Sequence, residues 1–503
     1  MLSARWRETL EVAAAYASAA AFLAFLQFQT PFLPETDGHY HLKTALLYRT
    51  HGLFFHGFKW ASQSLWRDRF SDTCLLFHAY LIPFTFFPNL AFGGKLATVL
   101  MGAACFASFF WILRANGARW PWFWFFLLCS AGPFFLWRLT VPRPQILSVT
   151  LLLWCVHFLL NGKRGKLAAL SFFYALSYSA AFMPLVFSLI RSVHLWVAEE
   201  EIDAATPLAA LGGLAAALLV NPYFPNDLLM LFVQNFYVLH MSITGGAEKL
   251  SMGGEFYPTD TRRMLLLHLP LAAALFSLSY YGLLTGRKAG RKTAMMMPFA
   301  VATVAMTFIW KRFTEYSVPL TLMYCGLRAT ELLEGFSWAS ASKRVREAAV
   351  IAVVALAFGF GSSTSSVMSD FRGATESPLK GAALFLKSHA EPDEAVFTCD
   401  WDDAPELYFY NHEQRYLVFM DPVFMYYRSP EVWRVWNNAA NGRLGAGTAR
   451  TIARTFDARY GVCKERFRAL RDVVAADPAV KIVYDDGRAW VFEVPKPPGG
   501  PGR

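Results

Sequence analysis

About eleven apolar stretches, parted by short polar loops, decide what this chain can fold into. By length and hydropathy they lie at roughly 9–29, 96–113, 120–137, 144–160, 167–181, 182–198, 207–221, 264–284, 294–310, 317–335 and 347–361. A bilayer core takes about 20 helical residues to cross, so the pattern predicts a mainly α, polytopic membrane helix bundle of about eleven spans. Segments 167–181 and 182–198 read equally as a hairpin or as one broken span. Only 17% of the residues are charged, against about 25% in ordinary soluble domains. That composition excludes one large cytosolic fold and also excludes disorder.

The loops give an orientation. RANGAR, NGKRGK, TGRKAGRKT and SKRVR are short and basic, whereas the alternate loops 30–95 and 222–263 are long and sparser in Lys and Arg. Basic loops stay on the inner side. The N-terminus is therefore expected inside, with its first apolar stretch a retained anchor rather than a cleaved signal. The formal charge of +10 then needs no nucleic-acid partner, because inner-face loops account for it. Segment 74–92 is apolar enough to span, but counting it would turn every later basic loop outward. It is read as an interfacial helix lying on the outer surface.

Beyond about 370 the hydrophobic runs shrink to strand length. AVFTCDW, RYLVFMD, ARYGVCK, VKIVYDD and AWVFEV read as strands, with helices in LKGAALFLKSHAEPDE and RFRALRDVVAAD. The expected organisation is a membrane domain over 1–365, with 30–95 as its first outer loop, then an extracytoplasmic α/β domain over 366–495. Residues 496–503 read as a disordered tail. Cys105, Cys129, Cys155 and Cys325 fall in apolar runs and read as buried small hydrophobes. Cys399 and Cys463 are open to a disulfide only where the compartment is oxidising.

Candidate chemistry gathers at the outer boundary. PETDGHYHL places Glu35, Asp37, His39 and His41 just after the first span. Asp37 can serve as a general base toward a hydroxyl, or simply as an N-cap of the helix that follows. His39 and His41 are two apart and diverge on a helix, so they do not make a metal site. In WRDRFSDTCLLFHAYL, Asp72 and His78 can approach the same centre, although capping by Asp72 and an interfacial His78 explain them as well. Pro142 and Pro144 fix Arg143 in WRLTVPRPQ, where a guanidinium can grip a phosphate or reach lipid headgroups. WKRFTEYSVP sets Lys311, Arg312, Glu315 and Tyr316 together; Arg312 can hold a phosphate or pair with Glu315 three residues on. GGEFYP (253–258) reads as an acceptor groove or a plain turn. CDWDDAPE (399–406), with Asp400, Asp402 and Asp403 near a Trp, reads first as a solvated strand-to-helix junction with an N-cap, and otherwise as a sugar or cation site.

D-G-H-Y-H-L after a first span resembles the acidic first-loop motif of the oligosaccharyltransferase catalytic subunit, the protein O-mannosyltransferases and the lipid A aminoarabinose transferases. These are integral-membrane glycosyltransferases of the GT-C class. The order of one span, a long outer loop, a bundle and a soluble outer domain is similar over nearly the whole chain. The resemblance implies transfer of a sugar, with inversion, from a polyprenyl-phosphate-linked donor to a lipid, glycan or protein acceptor at the outer face of a bacterial inner membrane. It implies Asp37 at the catalytic centre; Glu35 departs from the common Asp pair. Arg143, Arg312 and Lys311 become the donor-phosphate ligands, and His39, His41, Asp72, His78, Glu315 and Tyr316 the substrate contacts. The resemblance fixes no cofactor, and a divalent ion is left open because oligosaccharyltransferases use one and mannosyltransferase-like members generally do not. The competing reading is a non-enzymatic lipid or polysaccharide transporter or assembly subunit. A transporter places its ionisable residues near the bilayer midplane, whereas these lie at the boundary.

The orientation is testable by reporter fusions at residues 118, 164, 290 and 380. Alkaline phosphatase is expected to be active only at 380 and a cytosolic fluorescent protein bright at the other three. Phosphatase activity at 290 without activity at 380 overturns the orientation.

Overall fold

A computed structural model of the 503-residue chain describes residues 4–55 and 57–494. Each apolar stretch is helical, but the spans differ in kind. Among the described residues four helices are long and apolar enough to cross a bilayer: Arg5–Gln27, Leu90–Ala115, Thr261–Leu284 and Lys343–Gly373. Others are short, such as Gln145–Leu160, Arg164–Ala175, Met183–Glu199 and Ala205–Val220. At 1.5 Å per residue these measure about 18–26 Å, below the bilayer core thickness. Segment 120–137 is two helices, Pro121–Cys129 and Pro133–Arg138, separated where Gly132 takes a positive φ before a proline. Segment 167–198 is a pair of helices joined at 176–182. A count of eleven full spans therefore does not follow from helix length.

The helix Thr314–Leu332 is the axis of the bundle, with every residue from Thr314 to Ala329 buried. By contrast, Lys343–Gly373 turns Val350, Ile351, Val353, Val354 and Phe358 outward. Such an apolar face suits lipid, not water. Cys105, Cys129, Cys155 and Cys325 are all buried. Segment 74–92 does not form one flat helix. It makes a helix, Leu75–Leu81, and a 3₁₀ turn, Ile82–Phe86, that pack Phe77, His78 and Leu81 into the protein.

The C-terminal part holds a five-stranded mixed sheet. Strands β1 (Ala395–Thr398), β2 (Arg415–Tyr416), β3 (Ala458–Lys464), β4 (Lys481–Asp485) and β5 (Ala489–Glu493) stand in the order β2-β1-β3-β5-β4. The first three run parallel and β5 antiparallel to both its neighbours. All five expected strands are present, although RYLVFMD contributes only its first two residues. The helix Lys343–Gly373 carries on past residue 365, so the α/β fold proper begins at the helix Lys380–His389. The tail 496–503 lies outside the described residues.

The long loop after the first helix is built into this domain. The Tyr416 amide donates to the Trp60 carbonyl at 2.7 Å, and the Ser62 and Gln63 amides donate to the Tyr416 and Leu417 carbonyls at 2.7 and 2.8 Å. Residues 60–63 thus extend the sheet beside β2. Cys399 and Cys463 are joined, with Cα atoms 5.2 Å apart across neighbouring strands β1 and β3. Such a bond persists in an oxidising compartment. It anchors the acidic turn 400–403 that follows β1.

Closing a loop of 64 residues contributes about 4 kcal/mol in the chain-entropy account. The paired substitution Cys399→Ser, Cys463→Ser is expected to lower the melting temperature of the outer domain and to open the 400–403 turn to proteolysis. Unchanged melting and unchanged proteolysis contradict that role.

Candidate active site

The turn at 34–38 is organised by Glu35 rather than by Asp37. The two Glu35 carboxylate oxygens accept the Asp37 and Gly38 amides at 2.9 and 2.7 Å, closing the N-terminus of the helix Asp37–His51. Anions favour such a terminus, because its free N–H groups point outward. Asp37 is the first residue of the helix and caps nothing, which corrects the N-cap reading. Gly38 is needed here: a Cβ would lie 2.5 Å from the Pro142 ring. That close approach carries the Pro142–Arg143–Pro144 loop onto the acidic turn.

Arg143 consequently grips carboxylates. Its Nε and Nη2 donate to Glu35 Oε2 at 2.9 and 2.6 Å, and Nη1 lies 3.0 Å from Asp37 Oδ2 and 3.3 Å from Glu255 Oε2. Neither a free guanidinium nor a headgroup anchor describes it. Arg138, only 2% exposed, donates through Nε to Glu315 Oε1 at 2.8 Å and through Nη1 to Glu255. Glu315 therefore pairs with Arg138, not with Arg312 as the three-residue spacing suggested. Arg312 donates to the Tyr178 hydroxyl at 2.6 Å, lies 3.6 Å from Glu255 and covers the Phe256 ring at 5.1 Å. Glu255 is thus shared by three arginines.

The electrostatics follow from burial. Desolvation pushes the Asp37 carboxyl up, Arg143 pulls it down, and the nearby charges of Glu35, Asp402 and Glu255 raise it again, to about 8. Burial also opposes ionisation of Glu255, but Arg138, Arg312 and Arg143 overcome it and hold Glu255 well below the usual carboxylate range. Asp402 reaches the site from the turn after β1, where Thr36 donates to its Oδ1 at 2.7 Å. Burial raises Asp402 to about 6.

Asp37, His41, Arg138, Arg143, Glu255 and Arg312 all border one cavity of about 150 Å³. An apolar groove of about 210 Å³ adjoins it and shares Tyr178, Ser179, Gln234 and Arg312 with it. The groove runs on between Phe182, Phe187, Met306 and Tyr316. On the far side of Glu35 a wider groove, about 650 Å³, is bordered by Thr36, His39, Glu406 and Tyr410.

The remaining candidates separate. His39 and His41 diverge as expected: His39 borders the wide groove, edge-on to Phe409, and His41 borders the cavity. Asp72 and His78 do converge there. His78 Nδ1 is 2.6 Å from Asp72 Oδ2, and His78 Nε2 is 2.8 Å from His41 Nδ1. Asp72 Oδ1 also accepts the Cys74 amide at 2.9 Å, so it turns the chain as well. Tyr316 bonds Ser148 at 2.7 Å and faces the groove, away from the cavity. Lys311 borders neither. Arg138, Glu255 and Tyr178 were not selected from sequence. An ionisable residue at the membrane boundary was the available signal for Arg138, and a glutamate after two glycines for Glu255. Among the described residues no three His, Cys, Asp or Glu side chains gather for a metal. The Arg143 guanidinium holds the place between Glu35 and Asp37 that a cation would take, so this donor set does not fit a divalent ion.

No protein-family model and no curated protein sequence matches the chain. Solved structures do match. The archaeal oligosaccharyltransferase AglB from Archaeoglobus fulgidus, solved with an inhibitory peptide and a dolichol-phosphate, has a TM-score of 0.68 at 13% identity, covering 94% of this chain and 72% of that one. ArnT from Cupriavidus metallidurans, bound to undecaprenyl phosphate, has a TM-score of 0.55 at 15% identity over 98% of this chain and 100% of that one. The arabinofuranosyltransferase AftD from Mycobacteria has a TM-score of 0.56 at 14% identity over 98% of this chain and 40% of its own. All three are GT-C glycosyltransferases. At these identities the likeness is one of fold, and the chain has the GT-C fold.

Proposed function

We propose that the protein is a membrane glycosyltransferase that takes a sugar from a polyprenyl-phosphate carrier and passes it to an acceptor at the outer face of the membrane. The observation that carries this reading is the junction of an apolar groove with an arginine-lined cavity at Arg312. A prenyl chain suits the groove, and its phosphate suits the guanidinium at the groove's mouth. Two neighbours of the same fold were solved with dolichol-phosphate and with undecaprenyl phosphate, which supports the same assignment here. The boundary position of the charged residues favours a transferase over a transporter.

In this mechanism Arg312 takes the donor phosphate and stabilises the charge that develops as the carbon–oxygen bond to the sugar breaks. Arg143 shares that field and fixes Glu35 and Asp37. The acceptor approaches by the wide groove behind Glu35, and Asp37 receives its hydroxyl proton as the new glycosidic bond forms. Attack opposite the departing phosphate inverts the anomeric centre, as a carboxylate-activated nucleophile does in inverting glycosidases.

Asp37 must be ionised to work, and its carboxyl stands near 8. Transfer in membranes supplied with polyprenyl-phosphate sugars is therefore expected to rise with pH through about 8. Asp402→Asn removes a charge that raises Asp37, so it is expected to move this limb to lower pH. Asp37→Asn is expected to cost about 10²–10⁴-fold in rate. Full transfer by Asp37→Asn refutes the assignment of the base. Arg312→Ala is expected to weaken use of the donor by about ten- to a hundred-fold, the effect of one charged hydrogen bond. Arg312→Lys is expected to recover it only in part, since lysine lacks the planar fork. Complete rescue by lysine indicates simple charge anchoring.

A further inference from the structure

His41 and His78 border the same cavity as the arginines. His41 lies one turn after Asp37 on the same helix, four residues on, and both border the cavity. Behind it stands a hydrogen-bonded row of buried groups: His41 is 3% exposed, His78 1% and Asp72 2%. The ring–ring distance from His41 Nδ1 to His78 Nε2 is 2.8 Å, and His78 Nδ1 meets Asp72 Oδ2 at 2.6 Å. The Tyr48 hydroxyl also donates to Asp72 Oδ2, at 2.7 Å.

One arrangement of protons satisfies this row with a single hydrogen on each ring. A carboxylate at Asp72 accepts, His78 carries its hydrogen on Nδ1 and offers a lone pair at Nε2, and His41 donates from Nδ1. That leaves His41 Nε2 as a bare lone pair, and it has no hydrogen-bond partner among the described residues. Burial and the nearby Arg143 charge keep His41 well below the usual histidine range, hence neutral. Its backing polarises the ring, much as a buried carboxylate does for a catalytic histidine.

A neutral acceptor among three guanidinium donors asks for a ligand with two kinds of group. Arg312, held by the Tyr178 hydroxyl and 3.6 Å from Glu255, is the guanidinium open to an anion, and His41 needs a hydrogen-bond donor. A phosphate ester whose organic part carries a hydroxyl has both. His41 belongs to the cavity that opens into the apolar groove, whereas His39, two residues away, belongs to the groove behind Glu35. The hydroxyl that meets His41 is therefore on the donor's side.

We propose that His41 Nε2 accepts a hydrogen bond from a hydroxyl of the glycosyl group on the lipid-phosphate donor, and that His78 and Asp72 are positioning residues that set its tautomer. The site thereby selects a hydroxylated sugar phosphate over the bare lipid phosphate. This rests on the transferase reading and adds the group that distinguishes a loaded carrier from an empty one. A histidine serves here better than another carboxylate, because a negative charge would repel the phosphate.

The test measures binding of purified full-length protein in detergent to undecaprenyl phosphate and to its mannosyl, glucosyl and arabinosyl esters. Wild type is expected to bind one of the esters more tightly than the bare lipid. His41→Leu is expected to lose about ten- to a hundred-fold for that ester, the worth of a hydrogen bond to a polarised acceptor, with unchanged affinity for undecaprenyl phosphate. His41→Gln, which keeps an acceptor oxygen, is expected to recover part of the loss, and Asp72→Asn to lose part of the preference. A monodeoxy ester lacking the relevant hydroxyl is expected to bind wild type and His41→Leu equally. Equal weakening of bare lipid and ester by His41→Leu overturns the proposal and indicates a structural role. Unchanged ester binding by His41→Leu overturns it as well. If wild type binds no ester better than the bare lipid, but binds the bare lipid through Arg312, selection by His41 fails while the lipid-phosphate site stands. If it binds neither, the transferase reading itself fails.

Discussion

The arginine–carboxylate cluster around Glu255 ties together segments that are far apart in the chain. Arg138 ends the short helix Pro133–Arg138 and Arg143 follows in the loop before Gln145–Leu160, Glu35 and Asp37 come from the turn after the first helix, Glu255 from the second long loop, Arg312 from the turn just before the central helix and Glu315 from its first turn. Buried charge is tolerated only when it is paired and hydrogen-bonded. Each segment therefore has one favourable arrangement against the others. Breaking one pair leaves a desolvated charge, so the cluster specifies geometry more than it adds stability.

The cavity exists because of that arrangement. The same charges that hold the loops also line its wall. Three guanidiniums and the acidic side chains balance closely, and the raised Asp37 carboxyl shifts the balance toward positive when it is protonated. The α/β domain completes it from above: the first outer loop extends the sheet beside β2, and the disulfide-anchored turn after β1 brings Asp402 against Thr36. The first long loop and the C-terminal domain are thus parts of one structure, although Tyr416 lies 356 positions after Trp60.

Periodic and compositional features were legible in the sequence. Apolar runs become helices, and alternating runs near the C-terminus become strands, because both depend on local backbone preference and on which face must leave water. What length alone could not distinguish was a span from a packed short helix. Segment 120–137 is apolar throughout, yet Gly132 and Pro133 divide it. Segment 74–92 divides its apolar residues: Phe77 and Leu81 pack into the protein, while Phe86, Phe87 and Phe92 remain exposed.

Among the site residues, the sequence by itself determined the acidic turn, the proline-bound Arg143 and the divergence of His39 from His41, since each follows from spacing within one element. Only the tertiary structure decided the partners. Glu315 and Arg312 are three apart, but Glu315 turns to Arg138, because a buried guanidinium must find a carboxylate wherever the packing provides one. Asp72 and His78 look like a cap and an interfacial residue until the helix Asp37–His51 brings His41 to meet them. Local sequence sets which groups a segment offers; the cost of leaving a charge or lone pair unsatisfied in the interior sets which distant groups they meet.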